Sequence, residues 1–131
     1  MKKIFSKIVL TLFMATVLLI LGLTGCKTNE QTEYPAYNAV ESAERGCIEL
    51  EYEGVVYRPY GVFYNNDFRG NQIGIREGDP ESKICEVIGY SSDEWIIEYL
   101  DVLMGGGDML FKSVDVTQIP AELEHHKAYD W

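Results

Sequence analysis

Cys47-Ile48-Glu49-Leu50-Glu51-Tyr52-Glu53-Gly54-Val55-Val56-Tyr57-Arg58 is the stretch whose reading decides the fold. Ile48, Leu50 and Tyr52 alternate with Glu49, Glu51 and Glu53, which puts apolar side chains on one face of a strand and carboxylates on the other. Glu53-Gly54 supplies turn chemistry, and Val55 to Arg58 returns with β-branched and aromatic residues. The segment therefore reads as a β-hairpin.

Downstream, Pro59 lacks the amide donor that a ladder needs, which predicts an edge position or a bulge before Val62-Phe63-Tyr64 resumes strand-like composition. Asn65 to Asn71 reads as a loop and Ile73 to Ile75 as a short strand. Glu77-Gly78-Asp79-Pro80-Glu81-Ser82 carries the strongest turn signal, and Lys83 to Tyr90 is again strand-like.

Ser91 to Met104 admits two readings. Ser91 with Glu94 fits a helix capping box, with Ile96, Ile97, Leu100, Leu103 and Met104 on one helical face. Trp95-Ile96-Ile97-Glu98-Tyr99 is instead rich in strand formers, and Gly105-Gly106-Gly107-Asp108 before Met109 to Val114 looks like a hairpin return. A turn over Ser91 to Glu94 followed by a strand is the reading preferred. The expected fold is mainly β, a small sheet or partly open barrel with at most one or two short helices. It spans residues 47–120, with a short helical or frayed tail over 121–131. No segment repeats at a fixed period, which excludes a solenoid.

Upstream, residues 26–46 read as a linker, because Lys27 to Glu33 holds no large apolar residue and Tyr34 to Ala39 shows neither helical nor alternating pattern. Ala39 to Gly46 has room for one helical turn closed by glycine. Farther back, Lys2, Lys3 and Lys7 precede the uncharged apolar run Ile8 to Leu21, which is short for a bilayer span of about 20 residues. Leu23-Thr24-Gly25-Cys26 then places a small residue before a cysteine and an aliphatic residue three before it. This leader resembles the signal of bacterial lipoproteins. The resemblance implies a signal peptide over 1–25, cleavage after Gly25 and a diacylglyceryl thioether on Cys26. It also implies a protein anchored in the cell membrane and facing outside the cytoplasm. Each buried methylene contributes about 0.8 kcal/mol, so two or more acyl chains hold a protein where one holds it only marginally. The competing reading is an uncleaved span that ends at Cys26. Tyr52 to Gly61 and Val87 to Ile96 also resemble segments of small lipoproteins of low-GC Gram-positive bacteria, a likeness that implies no activity.

The 131 residues carry 21 acidic and 11 basic side chains, a net charge of −10; beyond residue 25 the balance is −13. So acidic a chain repels a phosphate backbone, which excludes nucleic acid as a partner. The expected function is a binding or shielding module at the membrane. Acidity, anchor and a small β domain together are similar in outline to lantibiotic immunity lipoproteins, which implies a cationic peptide as ligand. The alternative is an accessory subunit of a transporter or cell-wall complex.

No catalytic centre, metal site or cofactor site can be assembled from these residues, so an enzyme is not expected. His125 and His126 are adjacent, point about 100° apart on a helix, and read as exposed surface residues. Asn65, Asn66, Asp67 and Asn71 lack calcium-loop spacing and read as turn residues. Gly105 to Gly107 lacks the Lys-Ser/Thr half of a phosphate loop. Cys47 and Cys85 are candidates for a disulfide, or for two separate, partly buried thiols; both readings stay open. Among the aromatic residues, most of them expected in the core, Trp95 and Tyr60 are the candidates for exposed rings that hold a cationic ligand.

The lipoprotein reading predicts mature protein that begins at an acylated Cys26 and partitions into detergent, with the lipid absent from Cys26→Ala protein. Intact-mass analysis checks this, and an unmodified Cys26 contradicts it.

Overall fold

Leu50 pairs with Tyr57, Glu51 with Val56 and Tyr52 with Val55, which leaves Glu53 and Gly54 as a two-residue turn with φ of 48° and 79°. Positive φ at both positions matches the turn that follows strand twist most closely, and glycine takes the second of them without a steric penalty. The computed structural model describes residues 32–100 and 107–131. Residues 1–31, with Gly25 and Cys26, and residues 101–106 lie outside the described residues.

Among the described residues seven strands follow one another: β1 (Ala36–Ser42), β2 (Cys47–Tyr52), β3 (Val55–Phe63), β4 (Arg69–Arg76), β5 (Asp79–Val87), β6 (Trp95–Leu100) and β7 (Asp108–Ser113), with one short helix, α1 (Ala121–Glu124). They form a closed barrel in the order β1-β2-β3-β7-β6-β5-β4. Neighbours are antiparallel except at the closure, where β1 runs parallel to β4 through Ala36 opposite Ile75 and Tyr37 opposite Arg76. The domain is thus mainly β. Among the described residues no helix is long and apolar enough to cross a membrane.

Two sequence expectations change, and two hold. Residues 36–42 belong to β1 rather than to a linker: Tyr37 is buried, and β1 is paired on both sides. Asn38, Val40 and Glu41 stay exposed, so the strand carries no clean alternation. The turn at Glu77-Gly78 is confined to two residues, and Pro80 to Ser82 are absorbed into β5 as an irregularity between Ile75 opposite Lys83 and Arg76 opposite Asp79. Of the two readings for Ser91 to Met104, Trp95–Leu100 is the strand β6, preceded by a turn. Pro59 lies inside β3, and the register against β7 shifts between Pro59 and Gly61, a bulge that accommodates the missing donor.

Two apolar layers lie on opposite faces of these strands. Tyr37, Leu50, Tyr57, Ile84, Ile96 and Phe111 come from six of the seven strands and fill the barrel interior. Trp95 and Ile97, the neighbours of Ile96, belong with Phe63, Val87 and Leu110 to an outer layer roofed by Leu123, Val116 and Ile119. The C-terminal residues therefore form part of the structure rather than a frayed tail. Beyond Tyr57, β3 has no register with β2, and the chain end takes that edge: Val62 donates to the His126 carbonyl, Ala128 and Tyr129 donate to the Tyr60 carbonyl, and Trp131 Nε1 donates to the Pro59 carbonyl at 2.7 Å. Gly61 sits under this crossing, where a Cβ would collide with the His126 carbonyl.

Gly61→Ala is therefore expected to lower stability by about 1–3 kcal/mol, with the amide of Ala128 losing its protection from hydrogen exchange. Urea denaturation with exchange at that amide checks both, and a wild-type midpoint contradicts the C-terminal strap.

Candidate functional site

At one mouth of the barrel the interior ends in tyrosines. Tyr37 and Tyr52 stack with ring centroids 4.5 Å apart, and Tyr57 tilts against Tyr37 at 6.1 Å. Strand parity explains the grouping, since Tyr37, Leu50, Tyr52 and Tyr57 all point inward from β1, β2 and β3. The Tyr57 hydroxyl is fixed by donating to the Ser92 carbonyl at 2.7 Å. That bond ties the cluster to the turn before β6.

Beside it runs an open groove of about 330 Å³, lined by the acidic Asp93, Glu94 and Asp115, the apolar Val55 and Val116, and Ser113, Thr117 and Gln118. Its walls are two turns with the same local chemistry. The Asp93 amide donates to Ser91 Oγ at 3.2 Å and the Asp115 amide to Ser113 Oγ at 3.3 Å, so each aspartate follows a serine that fixes its turn. The Ser113 amide, donating to the Glu94 carbonyl at 2.7 Å, holds the two turns together.

Among the described residues no Lys or Arg lines this groove. Lys112 lies nearby, but its ammonium donates to the carbonyls of Val116 at 2.9 Å and Ser113 at 3.3 Å, and burial, then the Arg58 charge, pulls its pKa below the ordinary lysine range. Three of the arginines are held in ion pairs: Arg58 with Glu49, Arg69 with Asp108 and Arg76 with Glu98. The last pair is reinforced by the Ser82 hydroxyl, which donates to Glu98 Oε1 at 2.6 Å inside the barrel. Among the described residues no such partner meets Asp93, Glu94 or Asp115, and the field of these carboxylates reaches the tyrosines. Burial, then Asp93 and Glu53, push the Tyr57 hydroxyl up to about 12; burial foremost, with Tyr57, Tyr52 and the same carboxylates, pushes Tyr37 up as well. A concentrated negative potential next to aromatic faces suits a positively charged group.

The residues proposed from sequence fall elsewhere. Trp95 and Tyr60 are only 1% and 4% exposed and pack edge to face at 5.3 Å in the outer layer, so neither can hold a ligand. Their size marked them as contact residues, whereas strand parity and the C-terminal roof bury them. Cys47 and Cys85 are separate free thiols on β2 and β5, strands that do not pair, and burial raises the pKa of each. His125 is exposed, but His126 is half-buried, its ring packed against Phe63 at 4.6 Å and Phe68 at 5.5 Å. Asp67 donates its amide to Asn65 Oδ1 in a local turn. Among the described residues no group of three or more His, Cys, Asp or Glu is arranged to hold a metal ion. Sequence reasoning missed Tyr37, Asp93 and Asp115; the repeated Ser-x-Asp at 91–93 and 113–115 was the available signal for the turns. Compared with protein-family models, curated proteins and solved structures, the chain has no match.

A tyrosine whose folded pKa lies above its unfolded value of about 10 contributes stability that is fully present below pH 10 and lost as pH rises towards the folded value. Stability is therefore expected to fall between about pH 10 and pH 12, and Tyr57→Phe is expected to flatten that fall. Urea midpoints across this range check it, and a Tyr57→Phe profile as steep as the wild type contradicts it.

Proposed function

We propose that this protein is a lipid-anchored binding module outside the cytoplasmic membrane whose acidic groove takes a cationic peptide. The observation that carries the reading is the groove itself: Asp93, Glu94 and Asp115 line it together with Val55 and Val116, and among the described residues no cation joins them. Of the neighbouring tyrosine cluster, Tyr52 is the half-buried ring, able to add roughly 0.5–2 kcal/mol to a bound ammonium or guanidinium, while Tyr37 and Tyr57 are buried and hold it in place.

The leader ending at Cys26 supports the anchored location, and the −13 charge beyond residue 25 supports attraction of a positive ligand over about 8 Å at physiological salt. Approach is electrostatic. The turns at Asp93 and Asp115 are fixed by their serines before a ligand arrives, so little ordering is needed on binding.

Calorimetric titration of a cationic lantibiotic-like peptide into the full-length protein in zwitterionic micelles tests the reading. Affinity is expected at low ionic strength and should weaken as the Debye length shrinks from about 10 Å at 0.1 M to about 3 Å at 1 M salt. The double variant Asp93→Asn/Asp115→Asn is expected to bind about tenfold more weakly. No binding at low salt, or salt-independent affinity, rejects the peptide ligand and leaves the accessory-subunit reading ahead.

A further inference from the structure

The turn that carries Asp115 is fastened at three points. Two lie within it: the Asp115 amide donates to Ser113 Oγ at 3.3 Å, and the Val116 amide donates to the Ser113 carbonyl at 3.1 Å. The third is Lys112, whose Nζ donates to the Val116 carbonyl at 2.9 Å and to the Ser113 carbonyl at 3.3 Å. One ammonium therefore clasps both ends of the turn, with Asp115 between them. Ser113, Asp115 and Val116 all line the acidic groove, and the Ser113 amide carries the clasp onward to the Glu94 carbonyl at 2.7 Å.

This use of a lysine is costly. Lys112 is half-buried, and among the described residues no carboxylate forms an ion pair with it. Arg58 stands directly opposite it on β3, and residues opposite each other in a ladder share a face, so the ammonium sits beside a like charge. Arg58 is drawn toward β2 by Glu49 at 3.2 Å, whereas Lys112 is left to the two carbonyls. Hydrogen bonds to a charged group contribute more than neutral ones and offset the desolvation. What those bonds fix is the Ser113 to Val116 turn.

Two roles for Lys112 predict opposite signs. A bare positive charge behind the groove opposes the field of Asp93, Glu94 and Asp115, so its removal would tighten the binding of a cation. A clasp holds Asp115 in one place before a ligand arrives, so its removal would weaken binding, because the turn would then have to be ordered in the complex. We infer that Lys112 is a positioning residue of the acidic groove, presenting Asp115 to a cationic peptide through its hold on the Ser113 and Val116 carbonyls. The inference rests on the cationic-peptide reading for its ligand, whereas the clasp is a property of the turn alone.

Titration of the cationic lantibiotic-like peptide into full-length Lys112→Met and Lys83→Met protein, in zwitterionic micelles, tests it. Each variant loses one positive charge, but Lys83 lies on β5, outside the groove lining. Lys112→Met is expected to bind about tenfold more weakly than the wild type, and Lys83→Met at least as tightly. The Asp115 and Val116 amides should exchange about tenfold faster in Lys112→Met, with those of β6 unchanged. In the wild type, which needs no substitution, the Lys112 ammonium protons should exchange more slowly by NMR than those of the exposed Lys127. Lys112→Met that binds as tightly as the wild type or tighter, an equal loss in Lys83→Met, unchanged exchange at Asp115 and Val116, or Lys112 ammonium protons as labile as those of Lys127 overturns the inference. Failure of the groove reading looks different: the peptide then fails to bind the wild type, or binds Asp93→Asn/Asp115→Asn equally well, while the two amides still exchange faster in Lys112→Met.

Discussion

The ring of Tyr37 lying on Gly74 is the contact on which the barrel depends. β1 and β4 meet through only two register pairs, and at that seam the Ile75 amide donates to the Pro35 carbonyl at 3.0 Å and the Glu77 amide to the Tyr37 carbonyl at 2.8 Å. A Cβ on Gly74 would run into the Tyr37 ring. Glycine thus permits the close approach that lets an aromatic side chain seal a short parallel seam. Without it, β1 and β4 become open edges, a recurrent hazard of small sheets.

The same ring connects the seam to the proposed ligand site. Tyr37 stacks on Tyr52 and leans on Tyr57, which is fastened to the turn carrying Asp93, while the Ser113 amide fastens that turn to the one carrying Asp115. Closure of the barrel and shape of the groove are therefore one arrangement. At the far end of β3 the chain end takes over the edge that β2 leaves beyond Tyr57, and α1 buries Leu123 in the outer cluster. A barrel of this size accordingly buries two apolar layers, one inside and one beneath its C-terminal segment.

Local chemistry made parts of this legible from sequence. The β2–β3 hairpin follows from alternation and from Glu53-Gly54, and the bulge from Pro59, because each depends on residues a few positions apart. β1 was not legible: Tyr37 is its one fully buried side chain, so the strand shows no repeated apolar face, and its partners on β4 lie far along the chain. Trp95 and Tyr60 show the same limit from the other side. Their size announces buried or binding surface, but which of the two depends on a roof built from residues 116–126. The acidic groove, too, is made by two turns that only tertiary structure brings together.

Hydrogen exchange at two amides tests the closure most directly. The Ile75 and Glu77 amides should be protected to the same degree as those of β6 in the full-length protein, because both donate across the β1–β4 seam. Exchange at Ile75 and Glu77 as fast as in the exposed turn Asn65 to Asp67 would mean that β1 is not part of a closed barrel, and that the tyrosine cluster and its groove are not held in place.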